Sequence, residues 1–509
     1  MSASARFRHV ASGTADASVA APGHDCDVVV AGGGPAGAAA AARLAARGFT
    51  TVLVDRATFP RDKVCGDFVG PAALAELADL GVPGTAAFAA TNIIGECSLH
   101  LDGDQLGALA IPQVGGLPGY GRVIPRRDLD AWIVDAARCA GATVLGGRTV
   151  TAIERAPGAV TVAGHGVAGP WQLRTRLLLG ADGSTSLIAR RLRGTPPPRQ
   201  DRIVAVRAYF DEVTGPPGQA DIYLCRDSLP GYCWLFPAGR GRANVGVGIA
   251  VATYPPARRN LRALLLRLIA EDPGLRDRLR GARLRGTIGG CPLTTYNPHL
   301  PLVGDRIMLL GDAAGLINPL NGEGIQYALH SARWAADIAA DRLSSGQLDA
   351  ASLAGYEHRV HRSLRHDMAF SRLIVQLIRN RALNPFWLGA VRSIAARAST
   401  DPDYAHRASC VVTGLAPAST ALGLGVAAKT AGQAMISRRA GASPHRPGRR
   451  GHYGRTAPAP SPGKAAKSTR QALTPRERAD WAAGVGQALA ELTTQLTRAK
   501  LATLRGRVH

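Results

Sequence analysis

The sequence lacks any apolar run long enough to cross a membrane as a helix. In its 509 residues there is no stretch of about 18 consecutive apolar residues, which excludes a membrane-spanning helix on length. Residues 1–24 also lack the apolar segment of a secretory signal, so we expect a disordered arm there. Charged residues make up only 19%, which argues against a coiled coil, while an apolar fraction of 46% argues against general disorder. A chain of this length is expected to hold roughly two to four domains.

The cysteines are few and scattered. The eight of them form no C-x-x-C pair and have no paired histidine spacing. The sequence therefore predicts no disulfide framework and no metal site, and it favours the reducing cytoplasm. The net charge of +24 is concentrated in the tail, since residues 438–509 hold 15 Lys and Arg against 3 Asp and Glu, half of the excess. No aromatic-rich groove accompanies this charge, so we expect no nucleic-acid partner.

Residues 25–56 have the pattern of one βαβ unit with a phosphate-binding turn. A β-branched run, DCDVVVA, leads into Gly32, Gly34 and Gly37 of a G-x-G-x-x-G motif, and an alanine-rich helical stretch follows. In such a unit the first glycine allows the tight turn, the second lets the backbone approach a pyrophosphate, and the third lets helix and strand pack closely. Asp55 ends the next strand, where a carboxylate can bind a ribose hydroxyl. The dinucleotide-binding residues predicted from this unit are Gly32, Gly34, Pro35, Ala36, Gly37, Asp55 and Arg56.

Two later motifs narrow the identity of the cofactor. Residues 180–184 read GADGS and residues 310–314 read LGDAA, and each motif follows an apolar, strand-like segment. The three motifs in this order resemble flavoprotein monooxygenases and their relatives, of the p-hydroxybenzoate hydroxylase fold class. The resemblance implies FAD, with the GD aspartate at the ribityl chain, the DG motif near the pyrophosphate, and an arginine of VIPRRDLD touching the cofactor. The residues that it implies are Asp312 with Gly311, Asp182 with Gly183, and Arg126.

The segment after the GD motif, NPLNGEGI at residues 318–325, predicts a bend followed by the start of a helix. A helix N-terminus carries about half a positive charge, which suits the N1–C2=O edge of a reduced flavin. The predicted cofactor residues therefore also include Pro319, Gly322, Gly324 and Ile325.

Two further segments resemble the geranylgeranyl reductase family of FAD-dependent oxidoreductases. Residues 60–67, PRDKVCGD, match its cysteine–glycine loop, and residues 231–237, GYCWLFP, match its Y-x-W-x-F-P signature before a glycine-rich strand. The resemblance covers roughly residues 25–410 and is nearest to the menaquinone side-chain reductase type. Aromatic residues spaced by two face one side of a strand, and here they predict an apolar wall that binds an isoprenoid chain. The predicted substrate-binding residues are Tyr232, Trp234 and Phe236.

The reaction that this resemblance implies is saturation of C=C bonds in the isoprenoid chain of a lipid or a quinone. An alkene of this kind takes a hydride, from N5 of the reduced flavin, and a proton from a weak acid beside it. Cys65 and Tyr232 are the predicted proton donors. The electron donor stays open between NAD(P)H and a ferredoxin protein, because the sequence holds only one convincing dinucleotide fingerprint.

Two other functions share these motifs. An FAD-dependent monooxygenase or halogenase-like enzyme would act on an aromatic or polyketide substrate, but the halogenase W-x-W-x-I-P is absent and WLFP stands in its place. A non-catalytic FAD-bound scaffold, whose tail recruits a partner, would bind FAD and show no turnover with any lipid.

The predicted fold class is α/β (α+β): a Rossmann-type FAD-binding domain with an antiparallel-sheet substrate domain and C-terminal helices. The last helix is expected to dock on its own domain or a sister chain, or else to lie on a membrane surface. The predicted location is the cytoplasm, with peripheral contact to the inner face of the cell membrane as the alternative. The predicted units are a disordered arm (1–24), a discontinuous FAD-binding domain (25–90, 120–200 and 285–345), a substrate-binding sheet domain (91–119 and 201–284), a helical part (346–436), a basic flexible linker (437–473) and an amphipathic helix (474–506).

Overall fold

The computed structural model describes residues 23–225, 228–252, 260–421 and 475–505. Most of the predicted arm and the whole of the predicted linker lie outside these residues. Within them the chain forms two large sheets, a small three-stranded sheet and a group of C-terminal helices.

The strands, in chain order, are β1 (Cys26–Ala31), β2 (Thr51–Val54), β3 (Phe68–Val69), β4 (Asn92–Ile94), β5 (Glu96–Leu101), β6 (Asp104–Ala110), β7 (Gly121–Val123), β8 (Thr143–Leu145), β9 (Arg148–Ala156), β10 (Ala159–Gly166), β11 (Gly169–Gly180), β12 (Arg202–Asp211), β13 (Gln219–Leu224), β14 (Tyr232–Gly239), β15 (Arg242–Ala250), β16 (Arg283–Thr294), β17 (Val303–Gly304) and β18 (Ile307–Leu309). The α-helices are α1 (Pro35–Ala45), α2 (Pro71–Asp79), α3 (Ala86–Ala89), α4 (Arg126–Cys139), α5 (Leu187–Arg193), α6 (Leu261–Glu271), α7 (Pro273–Arg278), α8 (Gly311–Ala314), α9 (Ile325–Ser345), α10 (Ala350–Ile378), α11 (Asn384–Thr400), α12 (Pro402–Val412) and α13 (Pro475–Arg505). Short 3-10 helices lie at Val82–Gly84, Arg199–Asp201, Arg381–Leu383 and Ala418–Thr420.

The eight-stranded sheet contains the predicted βαβ unit. Its order is β17-β18-β11-β1-β2-β8, and the hairpin of β9 and β10 extends it beside β11. Strand β1 runs parallel to both β2 and β11. All residues of β1 and β2 are buried, which explains why both strands are nearly continuous apolar runs instead of alternating ones. Helix α1 packs on these strands and against α4 and α9, so the unit forms the centre of a Rossmann-type fold.

The seven-stranded sheet has the order β16-β12-β15-β14-β13-β5-β6 and is antiparallel except between β5 and β13. An apolar cluster that includes Val245, Val247 and Leu265 joins one of its faces to α6. The sequence places the return to the FAD-binding domain at residue 285, whereas β16 stays paired with β12 as far as Thr294. The boundary therefore lies nearer residue 295, because a strand with ladder partners along its length belongs to that sheet throughout.

Helices α10 to α12 follow the eight-stranded sheet, and α13 packs along α10. The indole Nε1 of Trp481 donates to the Gln376 carbonyl at 2.8 Å, and Ala488 is buried. Of the two sequence alternatives for this helix, the structure has the one in which it docks on its own chain. No helix in the described ranges is both long and apolar enough to span a bilayer.

Candidate active site

The glycine motif between β1 and α1 forms a turn that only glycine can make at two of its positions. Gly32 has φ +106°, and a Cβ there would lie 2.3 Å from the Ala181 carbonyl oxygen. A Cβ on Gly37 would lie 1.9 Å from the Gly32 carbonyl oxygen. Gly34 is different, because its backbone is extended and the nearest atom to an added Cβ is Arg126 Nη2 at 3.9 Å. The turn therefore leaves open space at Gly34, where a ligand can approach the backbone.

The carboxylate of Asp55 stabilises this turn through two hydrogen bonds. Its Oδ2 accepts from the Gly33 N–H at 2.7 Å, and its Oδ1 accepts from the Ala57 N–H at 2.8 Å. Arg56 is exposed beside it. A carboxylate oxygen accepts more than one hydrogen bond, so a ribose hydroxyl could share Asp55 with the loop.

A cavity of about 450 Å³ lies between the glycine turn and the seven-stranded sheet, and it brings most of the predicted site residues together. Those on its wall are Gly34, Pro35, Ala36, Cys65, Arg126, Gly183, Tyr232, Trp234, Phe236, Asp312, Pro319, Gly322, Gly324 and Ile325. The other predicted residues, which the cavity lining does not include, are Gly32, Gly37, Asp55, Arg56, Asp182 and Gly311.

The Asp182 carboxylate binds the start of the next helix, α5. Its carboxylate accepts from the Ser186 hydroxyl and, at 2.7 Å, from the Leu187 N–H. These contacts satisfy the start of α5, so the side chain serves that helix, and it is the neighbouring Gly183, at φ +82°, that reaches the cavity.

Asp312 and Arg126 give the cofactor side of the cavity its charge. Asp312 accepts from Lys63 Nζ at 3.2 Å and from Ser184 Oγ at 3.4 Å. Burial alone would raise the pKa of Asp312, but Lys63 and Arg126 outweigh it and hold that pKa below its usual value. Arg126 is buried and makes a bidentate ion pair with Asp130, with both contacts at 2.7 Å. An ionised carboxylate and two cations thus line the cavity beside the start of α1.

These residues fit a dinucleotide cofactor. The open backbone at Gly34, the start of α1 at Pro35 and the Arg126 guanidinium offer an anion the donors that a pyrophosphate takes. A second helix start, at Ile325 of α9, opens at the same cavity.

Three aromatic rings of β14 form the opposite wall. The centroids of Tyr232 and Trp234 are 6.1 Å apart, and those of Trp234 and Phe236 are 6.2 Å apart. The indole Nε1 donates to Asn244 Oδ1 at 3.0 Å. Gly246 lies behind the indole, where a Cβ would be 2.3 Å from the ring. This register holds the rings on the cavity side as one apolar surface.

The two predicted proton donors, Cys65 and Tyr232, differ in their hydrogen bonds. Burial raises the pKa of the Cys65 thiol, so the thiol keeps its proton at neutral pH. Its sulfur accepts from the Asp67 N–H at 3.4 Å. The Tyr232 hydroxyl donates to the Asn321 carbonyl, and burial raises the pKa of that hydroxyl as well.

The sequence analysis missed several polar groups on or beside the cavity. Asp67 follows Cys65 by two positions and could have been found from the same loop. Burial raises the pKa of the Glu323 carboxyl to about 8, and its Oε2 has no hydrogen-bond partner among the described residues. Asn244 is a polar residue within the apolar strand β15, which is the one local sign of its role. Lys63 carries no comparable sign.

Comparisons with known proteins agree with this geometry. Residues 25–259 match the FAD binding domain family. The chain is 35% identical over 325 residues to the menaquinone reductase of Mycobacterium tuberculosis (strain ATCC 25618 / H37Rv), with 61% of this chain and 76% of that protein covered. It is 31% identical over 362 residues to a digeranylgeranylglycerophospholipid reductase of Methanopyrus kandleri, with 69% of this chain and 90% of that protein covered.

Solved structures share the fold. A geranylgeranyl bacteriochlorophyll reductase-like protein from Thermoplasma acidophilum has a TM-score of 0.59 at 22% identity, covering 82% of this chain and 98% of that one. The flavin-dependent halogenase CmlS has a TM-score of 0.61 at 20% identity, covering 73% and 72%. At such identities these two structures show the fold alone, whereas the sequence relatives show the family. With FAD as its cofactor, the chain belongs to the geranylgeranyl reductase family of FAD-dependent oxidoreductases.

Proposed function

We propose that this oxidoreductase saturates C=C bonds in the isoprenoid chain of a lipid or a quinone. The observation that carries the proposal is the wall of Tyr232, Trp234 and Phe236, which lines the same cavity as Gly34 and the start of α1. Each 100 Å² of chain that such a wall removes from water contributes about 2.5 kcal/mol to binding. The relatives named menaquinone reductase and digeranylgeranylglycerophospholipid reductase support a substrate of this class.

The cofactor residues follow from the same cavity. Gly34 and the start of α1 would hold the pyrophosphate of FAD, with Arg126 beside it. Asp312 would bind the ribityl chain, and the start of α9 after Gly324 would face the pyrimidine edge of the ring. Reduced FAD, when bound, supplies a hydride from N5.

The proton is best assigned to Cys65. Its thiol is protonated at neutral pH, and the nearby Arg126 guanidinium favours the thiolate that remains after the proton has left. The Tyr232 hydroxyl directs its hydrogen to the Asn321 carbonyl and away from an alkene. Tyr232 therefore serves to position substrate, while Cys65 donates.

An anaerobic turnover experiment tests the proposal. The bound flavin is reduced with dithionite, an unsaturated geranylgeranyl lipid without a quinone ring is added, and flavin reoxidation is followed together with product mass. Wild-type protein should reoxidise the flavin and give a product heavier by two hydrogens. Cys65→Ala should lower the rate by about 10²–10⁴-fold, the usual contribution of a general acid.

Cys139→Ala is the matched control, because Cys139 is an exposed cysteine on α4 that is not part of the cavity lining. It should keep the wild-type rate. Reoxidation by oxygen alone, with an oxygen atom added to the product, would instead identify a monooxygenase. Full FAD occupancy without turnover on any isoprenoid would indicate the non-catalytic scaffold. The electron donor, NAD(P)H or a ferredoxin, and peripheral membrane contact stay predictions.

A further inference from the structure

A buried carboxyl group lies at the cavity wall directly after the cysteine loop. Asp67 is 0% exposed, and its backbone is left-handed, at φ +64°. Its N–H donates to Cys65 Sγ at 3.4 Å. A non-glycine residue in this conformation is strained unless its surroundings hold it, so the side chain is kept here by its contacts.

One oxygen of this carboxyl group is held and the other is not. Asp67 Oδ2 accepts from the Tyr209 hydroxyl and, at 2.7 Å, from Asn244 Nδ2. Asp67 Oδ1 is buried and has no hydrogen-bond partner among the described residues. A protonated carboxyl needs one oxygen free to carry hydrogen, and the pattern of donors leaves Oδ1 for that purpose.

Asn244 connects this carboxyl to the rest of the site. Its amide nitrogen also donates to the Cys65 carbonyl at 2.8 Å, and its amide oxygen accepts from Trp234 Nε1 at 3.0 Å. One side chain therefore ties the carboxyl, the cysteine loop and the aromatic wall into a single arrangement. A shift of any one of them would move the others.

We propose that Asp67 is the proton reservoir that recharges the thiol of Cys65 between turnovers, an inference that rests on the proposed function. The S–H bond of Cys65 breaks as the new C–H bond of the substrate forms. The thiolate then takes the proton from Asp67 Oδ1, and water from the solvent returns a proton to the carboxylate. Asp67 thus acts on the substrate through Cys65.

The charges around Asp67 suit a group that gains and loses a proton near neutral pH. Burial raises its pKa to about 6, although the hydrogen bonds from Tyr209 and Asn244 and the charges of Arg207 and Arg126 act in the opposite direction. The titratable or charged groups that face Asp67 are Tyr209 and Arg207 of β12, Arg126 of α4 and the Cys65 thiol of its own loop. With a pKa of about 6, about a tenth of the molecules carry the proton at pH 7.

The test separates the first turnover from later ones. Holoenzyme is mixed anaerobically with excess dithionite and an unsaturated geranylgeranyl lipid without a quinone ring, and product is counted per flavin over time. In Asp67→Asn the first turnover uses the proton already on Cys65, whereas each later one needs a new proton. The steady-state rate should therefore fall about tenfold or more relative to the first-turnover rate. Equal losses in both phases would overturn the relay and leave a structural role.

A second measurement does not depend on turnover. Alkylation of Cys65 by iodoacetamide is followed in the holoenzyme by peptide mass spectrometry across pH 7 to 11. The negative charge of Asp67 raises the pKa of the Cys65 thiol. Asp67→Asn should therefore move the alkylation profile to lower pH, and an unchanged profile would overturn the proposal. If wild-type holoenzyme reduces no alkene while the alkylation profile of Asp67→Asn shifts as expected, the proposed function is overturned, and the relay is overturned with it.

Asp272→Asn is the matched control. Asp272 is a buried carboxylate that accepts from the Leu275 N–H at 3.0 Å at the start of α7, a contact that asparagine also makes, and it is not part of the cavity lining. Both phases and the alkylation profile should match wild type in this variant. Should Asp67→Asn fail to fold, Tyr209→Phe removes one donor to the carboxylate and should shift the fall of the steady-state rate to higher pH. No shift in that variant would contradict the relay.

Discussion

Replacing Gly34 by alanine should weaken FAD binding without unfolding the protein. The backbone of Gly34 has φ −74° and ψ −178°, an ordinary extended conformation that alanine adopts freely. The nearest protein atom to the added Cβ is Arg126 Nη2, at 3.9 Å. The methyl group therefore has room in the protein itself, and it occupies cavity space where we place the pyrophosphate.

The size of the effect can be worked out from these contacts. Alanine at a compatible backbone position leaves stability unchanged or raises it by about 0.4–1 kcal/mol, because the unfolded chain has less freedom to lose. An extra methyl group in a close-packed contact costs about 1–3 kcal/mol. Since about 1.4 kcal/mol is a factor of ten, the Kd for FAD should rise by about 5- to 150-fold.

Fluorescence titration with FAD measures the Kd, and thermal unfolding of FAD-free protein measures its stability. Two control variants are measured in the same way. A Cβ on Gly84 meets no atom within 4 Å, so Gly84→Ala should match wild type. A Cβ on Gly32 meets Ala181 at 2.3 Å, so Gly32→Ala should destabilise the FAD-free protein. The reasoning is refuted if Gly34→Ala binds FAD as tightly as Gly84→Ala does, or unfolds as Gly32→Ala does.

The aromatic wall should be disrupted in Gly246→Ala, whose Cβ would lie 2.3 Å from the Trp234 indole, whereas Gly248→Ala meets nothing nearer than 3.8 Å. Urea unfolding should show a loss of about 1–3 kcal/mol in the first variant only. Asp312→Ala should lower the flavin absorbance per purified chain, and full occupancy would contradict the ribityl assignment. Burial raises the pKa of Asp67 from 3.8 to about 6, so the stability that its proton contributes is lost as pH rises through 6. Relative to wild type, Asp67→Asn should gain about 1 kcal/mol in unfolding free energy between pH 5 and pH 8, and equal pH dependence would contradict the shifted pKa.

The cofactor class could be predicted because its signals are local. The turn at Gly32, Gly34 and Gly37 depends on a strand, a few glycines and a helix that follow one another directly in the chain. The spacing of Tyr232 and Trp234 likewise needs only the period of a strand, in which alternate side chains share a face. Such patterns predict the same local structure whatever the fold of the rest of the chain.

The contacts that hold the Asp67 carboxyl could not be predicted in the same way. Asp67 meets Tyr209 and Asn244 across separations of 142 and 177 residues, and no short pattern records such a contact. Asp182 is a second example, because its motif predicts a contact with the cofactor, and only the folded chain shows that its carboxylate accepts from Ser186 and Leu187. The domain boundary predicted at residue 285 falls inside β16 for a related reason, because that strand stays paired with β12 as far as Thr294.

What the sequence determined by itself was the set of conformations that short segments prefer, and with them the nucleotide turn, the aromatic strand and the family. What only the tertiary structure decided was which of these segments share a cavity and which buried groups face each other there. The physical reason is that local conformation depends on steric limits within a few residues. Burial and electrostatic environment, by contrast, depend on partners that the folded chain brings together from far apart.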